Sequence, residues 1–173
     1  MRIFLTGATG YVGAAVLDAL LRGGHTITAL VRDSEKAERV AARGAHPVIG
    51  NLGDVESFRG AAEAQDGYVH TALDSVSGRG PSIEKLAVDT MLAAAKRPRT
   101  AGARADKRFV IFTSGVWVLG KAPDPIAEDA PPNPIDRILE ASRRIGCRRD
   151  RVVENMEPAR GLEPGPADCE ASA

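Results

Sequence analysis

Three glycines near the amino terminus have the spacing of a loop that cradles phosphate groups. Gly7, Gly10 and Gly13 lie in the segment TGATGYVG, residues 6–13. In such a loop the first glycine permits a tight turn, the second lets the backbone approach a pyrophosphate, and the third lets a helix pack closely against a strand. The amides at the start of the following helix, with the positive end of its dipole, then attract phosphate. We therefore predict a pyrophosphate-binding loop here.

A charged pair further along the chain bears on the kind of nucleotide. Arg32 and Asp33 directly follow an apolar, β-branched run. At this place an acid would bind the adenosine ribose 2′-hydroxyl of NAD, whereas an arginine suits the 2′-phosphate of NADP. Because Arg32 comes first, we predict that NADP(H) is favoured over NAD(H). A solvated loop arginine is the alternative interpretation.

The elements that must position these residues alternate between β-type runs and helical patterns. The predicted strands, rich in β-branched and large apolar residues, span residues 2–6, 26–31, 46–49, 67–72 and 109–113. The predicted helices span residues 12–22, 34–42, 54–64 and 83–94, with Ser34 and Asp54 as N-caps. The fifth strand is continuously apolar, which predicts a buried parallel strand. The alternation indicates an α/β fold with a doubly wound parallel sheet in the order 3-2-1-4-5.

The character of the sequence changes after Gly120. Prolines are frequent between residues 123 and 134, and no aromatic residue follows Trp117. We predict an NAD(P)-binding domain at residues 1–122 and a proline-rich, irregular tail at residues 123–173. The composition of the tail leaves two hypotheses open: a truncated or frameshifted gene product, and a natural short form with a divergent tail.

The overall composition narrows the function classes and the compartment. Formal net charge is zero and apolar residues make up 43%, so neither nucleic acid nor a membrane is expected as a partner. The two cysteines, Cys147 and Cys169, lie outside any metal or disulfide pattern, which favours a reducing cytoplasm. The histidines fit no common ligand spacing, so no metal site is expected and core or edge positions are predicted for them.

Several motifs together resemble the extended or atypical short-chain dehydrogenases, in particular the NAD-dependent epimerase/dehydratase and NmrA-like group. They are TGATGYVG at residues 6–13, LVRD at 30–33, GNLGD at 50–54, VHTA at 69–72 and FTSGVWVLG at 112–120. The resemblance covers about residues 1–135. It implies a Rossmann-type fold and an NAD(P)-dependent oxidoreductase or epimerase. The implied substrate is a small carbonyl or sugar-nucleotide-like compound.

The resemblance also implies roles for individual residues. Those implied around the pyrophosphate are Gly7, Gly10, Tyr11, Val12 and Gly13. Arg32 would contact the adenosine ribose or its phosphate. Those implied beside the adenine are Asn51 and Leu52, although the family usually has an aspartate where Asn51 stands, and those implied beside the nicotinamide are Thr71 and Ala72.

Ser114 matches the family serine that hydrogen-bonds the substrate oxygen and is the predicted catalytic residue. The family usually places a tyrosine and a lysine four residues apart after this serine, and the tyrosine moves the proton that accompanies hydride transfer. Here the tyrosines, Tyr11 and Tyr68, both precede Ser114. An oxidoreductase or epimerase-type domain is therefore weighed against a non-catalytic nucleotide-sensing module and an inactive truncated fragment.

Overall fold

The computed structural model describes residues 1–74, 78–97 and 108–115. Within these residues a parallel sheet is formed by β1 (Arg2–Thr6), β2 (Thr26–Val31), β3 (His46–Ile49), β4 (Gly67–His70) and β5 (Phe109–Phe112). The strand order is β3-β2-β1-β4-β5, which confirms the predicted doubly wound topology. The order reverses between β1 and β4, where such sheets leave a crevice at the carboxyl ends of their strands.

The helices of the described residues cover both faces of the sheet. They are α1 (Tyr11–Arg22), α2 (Ser34–Ala41), α3 (Arg59–Glu63) and α4 (Gly80–Lys96), with a short 3-10 turn at Val55–Ser57. Alternate residues of a strand point to opposite faces. One core therefore lies under α1 and α2 and contains Ile3, Leu5, Leu17, Ile27 and Val40. The other lies under α3 and α4 and contains Phe4, Phe58, Tyr68, Ala87 and Met91.

Two predicted N-caps are wrong. Asp33, not Ser34, caps α2, because its carboxylate accepts a hydrogen bond of 2.9 Å from the Lys36 amide. The Asp54 side chain caps nothing, and the predicted helix at 54–64 is divided into the 3-10 turn and α3. The division falls at Phe58, which leaves helical geometry at φ −136° and is buried in a stack with Phe4. Core burial of one aromatic ring thus overrides the local helical pattern.

The last two strands are shorter than predicted. β4 ends at His70 rather than residue 72, and β5 ends at Phe112 rather than residue 113. The expectation of a buried fifth strand is also wrong, since Ile111 is 49% exposed. In the described part of the chain β5 has a neighbouring strand only on the β4 side. The predicted boundary at residue 122 and the tail at residues 123–173 lie outside the described residues.

Candidate functional site

The glycine-rich loop connects β1 to α1 and is packed against the end of β4. Gly7 has φ +77°, a left-handed conformation that favours glycine. A Cβ at Gly7 would stand 2.7 Å from the Ala72 amide nitrogen and from Thr71 Oγ1. A Cβ at Gly13 would stand 2.6 Å from the Gly7 carbonyl carbon and from Thr71 Oγ1, and closer still to the Gly7 oxygen. Both positions therefore require glycine for close packing.

Gly10 has a different role, because its surroundings are open. It is exposed and forms the N-cap of α1 with an ordinary extended backbone, φ −81° and ψ 171°. A Cβ there would meet only the Gly7 carbonyl oxygen, at 3.3 Å. No side chain caps this helix and no acid lies in its first turn, so its first amides face the loop with a positive dipole. An open, uncapped helix start of this kind can accept an anion such as a phosphate group.

A cavity of about 380 Å³ lies at the carboxyl ends of the strands, within the size range of small-molecule sites. Of the residues predicted from the sequence, it is lined by Gly7, Gly10, Arg32, Asn51, Leu52, Thr71 and Ala72. Further residues line it for which no individual role was predicted: Thr6, Thr9, Leu30, Val31, Lys36, Gly50, Leu73, Asp74 and Ile83. The cavity thus joins the ends of β1, β2 and β4.

The end of the cavity near β2 carries two basic side chains. Arg32 is exposed directly after β2, and Lys36 follows one helical turn later in α2. Asp33 stands between them but does not line the cavity within the described residues. Its carboxylate caps α2 and pairs with Lys36 Nζ at 2.5 Å, and this hydrogen bonding lowers the pKa of Asp33. Lys36 was not among the site residues predicted from the sequence.

The cavity residues near the ends of β3 and β4 are held by local hydrogen bonds. The side-chain oxygen of Asn51 accepts a hydrogen bond of 2.8 Å from the Gly53 backbone amide. The backbone amide of Asn51 donates to Ser57 Oγ at 3.0 Å. Thr71 Oγ1 donates to the Thr6 carbonyl at 2.7 Å. The Thr71 proton is therefore used to hold β4 against β1, which leaves lone pairs on its oxygen for a ligand.

The remaining predicted site residues lie outside the cavity as far as the described residues define it. Tyr11 is 98% exposed and Val12 is 49% exposed, both in the first turn of α1. Ser114 is exposed, two residues after β5. Tyr68 is buried in the core, where its hydroxyl donates to the Ala62 carbonyl at 3.0 Å and burial raises its pKa.

The described residues contain neither a membrane-spanning helix nor a metal-binding cluster. None of the helices there has both the length and the apolar character that crossing a membrane requires. Across residues 1–74, 78–97 and 108–115, no group of three or more histidine, cysteine or acidic side chains is placed to hold a metal ion.

Comparison with known proteins agrees with this geometry. A family model described as NAD(P)H-binding matches residues 7–155. An uncharacterized sugar epimerase of Bacillus subtilis is 29% identical over 180 residues, which cover 95% of this chain and 81% of that protein. A 4-hydroxy-2-methyl-3-oxo-4-farnesyl-3,4-dihydroquinoline-1-oxide ketoreductase of Stigmatella aurantiaca is 37% identical over 103 residues, 57% of this chain and 31% of that protein.

Solved structures show the same fold. The structure of Thermus thermophilus UDP-glucose 4-epimerase in complex with NAD superposes with a TM-score of 0.65 at 18% sequence identity. The superposition covers 84% of this chain and 49% of that chain. The first curated relatives are matched over only 24–31% of their own length.

Proposed function

This chain belongs to the NAD(P)H-binding family of oxidoreductase- and epimerase-like proteins, and from that premise we propose that its cavity binds NADP(H) in preference to NAD(H). The observation that carries the preference is the position of two cations, Arg32 and Lys36, at one end of the cavity that the glycine-rich loop borders.

The chemistry of the two cofactors differs at the adenosine ribose. NADP carries a 2′-phosphate, which a guanidinium recognises through paired, charge-assisted hydrogen bonds. One such bond contributes about 1.5–3 kcal/mol, which corresponds to a preference of roughly tenfold or more. The ammonium group of Lys36 lines the same cavity and can also donate to the phosphate, although Asp33 already balances its charge.

Asp33, the acid that could bind the ribose of NAD, already makes hydrogen bonds within the fold. The Asp33 carboxylate does not line the cavity that the described residues define, and each of its oxygens already accepts a hydrogen bond from Lys36, Oδ1 from the amide and Oδ2 from the ammonium group. Loss of an N-cap of this kind costs about 0.5–2 kcal/mol. The same carboxylate therefore supports α2 and the position of Lys36 rather than the ribose.

We propose that the chain is the cofactor-binding part of an oxidoreductase or epimerase that acts on a small carbonyl or sugar-nucleotide-like compound. The glycine-rich loop would hold the pyrophosphate, Thr71 and Ala72 would adjoin the nicotinamide, and Ser114 would hydrogen-bond the substrate oxygen. When bound, the nicotinamide supplies or accepts the hydride. The names of the two curated relatives, an epimerase and a ketoreductase, support this class.

A non-catalytic nucleotide-sensing module is the second candidate. It is favoured by the state of the tyrosines: the Tyr68 hydroxyl is buried and bonded to the Ala62 carbonyl, and Tyr11 stands at the start of α1. Neither follows Ser114, where the family tyrosine usually lies. If the sensing module is the correct candidate, the 173-residue chain binds the cofactor with negligible turnover.

Calorimetric titration of NADPH, NADP⁺, NADH and NAD⁺ tests the cofactor proposal. We expect Arg32→Ala and Lys36→Ala to weaken NADP(H) binding, Arg32→Ala by about tenfold or more, with little change for NAD(H). Arg39→Ala is the matched control, since Arg39 is exposed on α2 and lies outside the cavity. Equal weakening of both cofactors by Arg32→Ala would contradict a role in reading the 2′-phosphate.

Turnover separates the two functional candidates. NADPH oxidation should be followed with simple aldehydes and ketones, and epimerisation with UDP-sugars. Tight cofactor binding without product in either assay supports the sensing module, whereas product formation that requires Ser114 supports the enzyme.

A further inference from the structure

His70 lies at the carboxyl edge of the sheet, immediately before the cavity residue Thr71. It is the last residue of β4 and is fully buried. The strand register places it beside Thr6, the last residue of β1, and beside Phe112, the last residue of β5. Each of these strand ends leads into a segment with a predicted site residue.

The His70 side chain contacts both neighbouring strand ends. Its Nδ1 is 2.8 Å from Thr6 Oγ1 in a buried hydrogen bond. Its ring stacks on Phe112, with 5.7 Å between centroids and 11° between planes. The His70 carbonyl also accepts a hydrogen bond of 3.0 Å from the Thr113 amide. One residue thus joins the ends of β1, β4 and β5.

The other ring nitrogen faces α4. Nε2 is buried without a hydrogen-bond partner among the described residues, 3.9 Å from Glu84 Oε1. Burial lowers the pKa of His70 to about 4 and raises the pKa of Glu84. A neutral imidazole has one donor and one acceptor nitrogen, so Nδ1 can pair with a hydroxyl in either sense. The contact with Thr6 is therefore made without placing an imidazolium beneath the loop.

The hydrogen bond to Thr6 is connected to the glycine-rich loop. The Thr6 carbonyl accepts from Thr71 Oγ1 at 2.7 Å and from the Thr71 amide at 3.3 Å. Thr71 Oγ1 fills the space that any Cβ at Gly7 or Gly13 would need. A displacement of Thr6 therefore also displaces the surface against which the loop is packed.

We propose that His70 is a positioning residue for the cofactor loop, acting through its hydrogen bond to the Thr6 hydroxyl. The bond fixes the end of β1 against β4 and thereby sets the position of Gly7 and the first amides of α1. The proposal rests on the proposed function in one respect, that this loop binds NADP(H).

Two near-isosteric variants remove the bond, Thr6→Val and His70→Phe. In the free chain, each should speed hydrogen exchange of the amides of residues 7–13 relative to those of β2. Each should also weaken NADPH binding by about three- to tenfold, the range expected for one hydrogen bond. The double variant should be no worse than either single variant, because both remove the same bond. His70→Asn keeps a polar atom near the Nδ1 position and should recover most of the loop protection.

Thr28→Val is the matched control. Thr28 lies on β2, where its hydroxyl accepts a bond of 3.2 Å from Gln65 Nε2, away from the loop. It should lower overall stability without selective exchange at residues 7–13. If Thr6→Val and His70→Phe behave like Thr28→Val, with normal loop exchange and normal NADPH affinity, the positioning role is refuted. If the wild-type chain binds no NADPH but both variants still loosen the loop selectively, the positioning role stands and the proposed cofactor is wrong.

Discussion

Replacement of Gly13 by alanine tests the packing of the glycine-rich loop without any ligand. The added Cβ would lie 2.6 Å from both the Gly7 carbonyl carbon and Thr71 Oγ1, whereas ordinary contact begins at 3.4 Å. The neighbours must therefore retreat by at least 0.8 Å, the difference between these two values. Gly7 resists this movement because its carbonyl accepts a hydrogen bond of 2.9 Å from the Gly10 amide.

The magnitude follows from two opposing effects. Overpacking of a well-packed site costs about 1–3 kcal/mol. Alanine is a better helix former than glycine by up to about 1 kcal/mol, and Gly13 lies in the first turn of α1. Because the atoms in the way include the Gly7 backbone, the overpacking cost falls at the upper end of its range, about 3 kcal/mol, and we expect Gly13→Ala to lower the free energy of unfolding by about 2 kcal/mol. Urea-induced unfolding followed by circular dichroism, without cofactor, measures the change.

Gly60→Ala provides the matched control for Gly13→Ala. Gly60 lies in α3, and a Cβ there would meet nothing within 4 Å. The same substitution should therefore raise the free energy of unfolding by up to about 1 kcal/mol, through helix propensity and the entropy of the unfolded chain. If Gly13→Ala proves as stable as the wild type, the close packing of α1 on the loop is not what requires glycine.

Two further outcomes are expected. Gly10→Val should abolish NADP(H) binding in calorimetry, because the side chain enters the glycine-rich loop at an exposed position with ordinary backbone angles. It should lower the urea midpoint only slightly, through the poorer N-cap that valine makes. Wild-type affinity for NADP(H) would show that the loop is not part of the cofactor site. Acid should destabilise the fold between pH 6.5 and about 4, because the unfolded chain binds the His70 proton at the higher pKa and the folded chain at the lower. The His70 shift corresponds to a loss of roughly 3 kcal/mol in the free energy of unfolding, which the raised pKa of Glu84 offsets in part. Stability measured against pH checks this prediction. If His70→Phe loses stability with acid as steeply as the wild type does, groups other than His70 cause the loss.

Local sequence patterns were sufficient for the architecture. The bounds of β1, β2 and β3 agree with the predicted ones, and the strand order is the one that alternating strands and helices imply. The glycine spacing correctly located the loop between β1 and α1. These features depend on side-chain periodicity and turn chemistry, which neighbouring residues determine among themselves.

The site was only partly visible in the sequence. Arg32 was predicted as a site residue because it follows β2. The sequence did not show which way the neighbouring Asp33 points, and in the structure its carboxylate caps α2 and pairs with Lys36. Whether a given acid faces the cavity or the helix depends on the path of the chain at that turn. Likewise Phe58 interrupts a helical pattern because its ring stacks on Phe4 in the core.

The amino-acid sequence by itself determined that this chain folds as a doubly wound sheet with a glycine-rich loop at its first turn. Only the tertiary structure decided what stands beneath that loop. Thr6 and His70 are 64 residues apart, and their contact exists because β1 and β4 pair in a register that sets their last residues side by side. Periodicity identifies a strand and its faces and implies the strand order, whereas the register of two paired strands is fixed by the packing of the sheet.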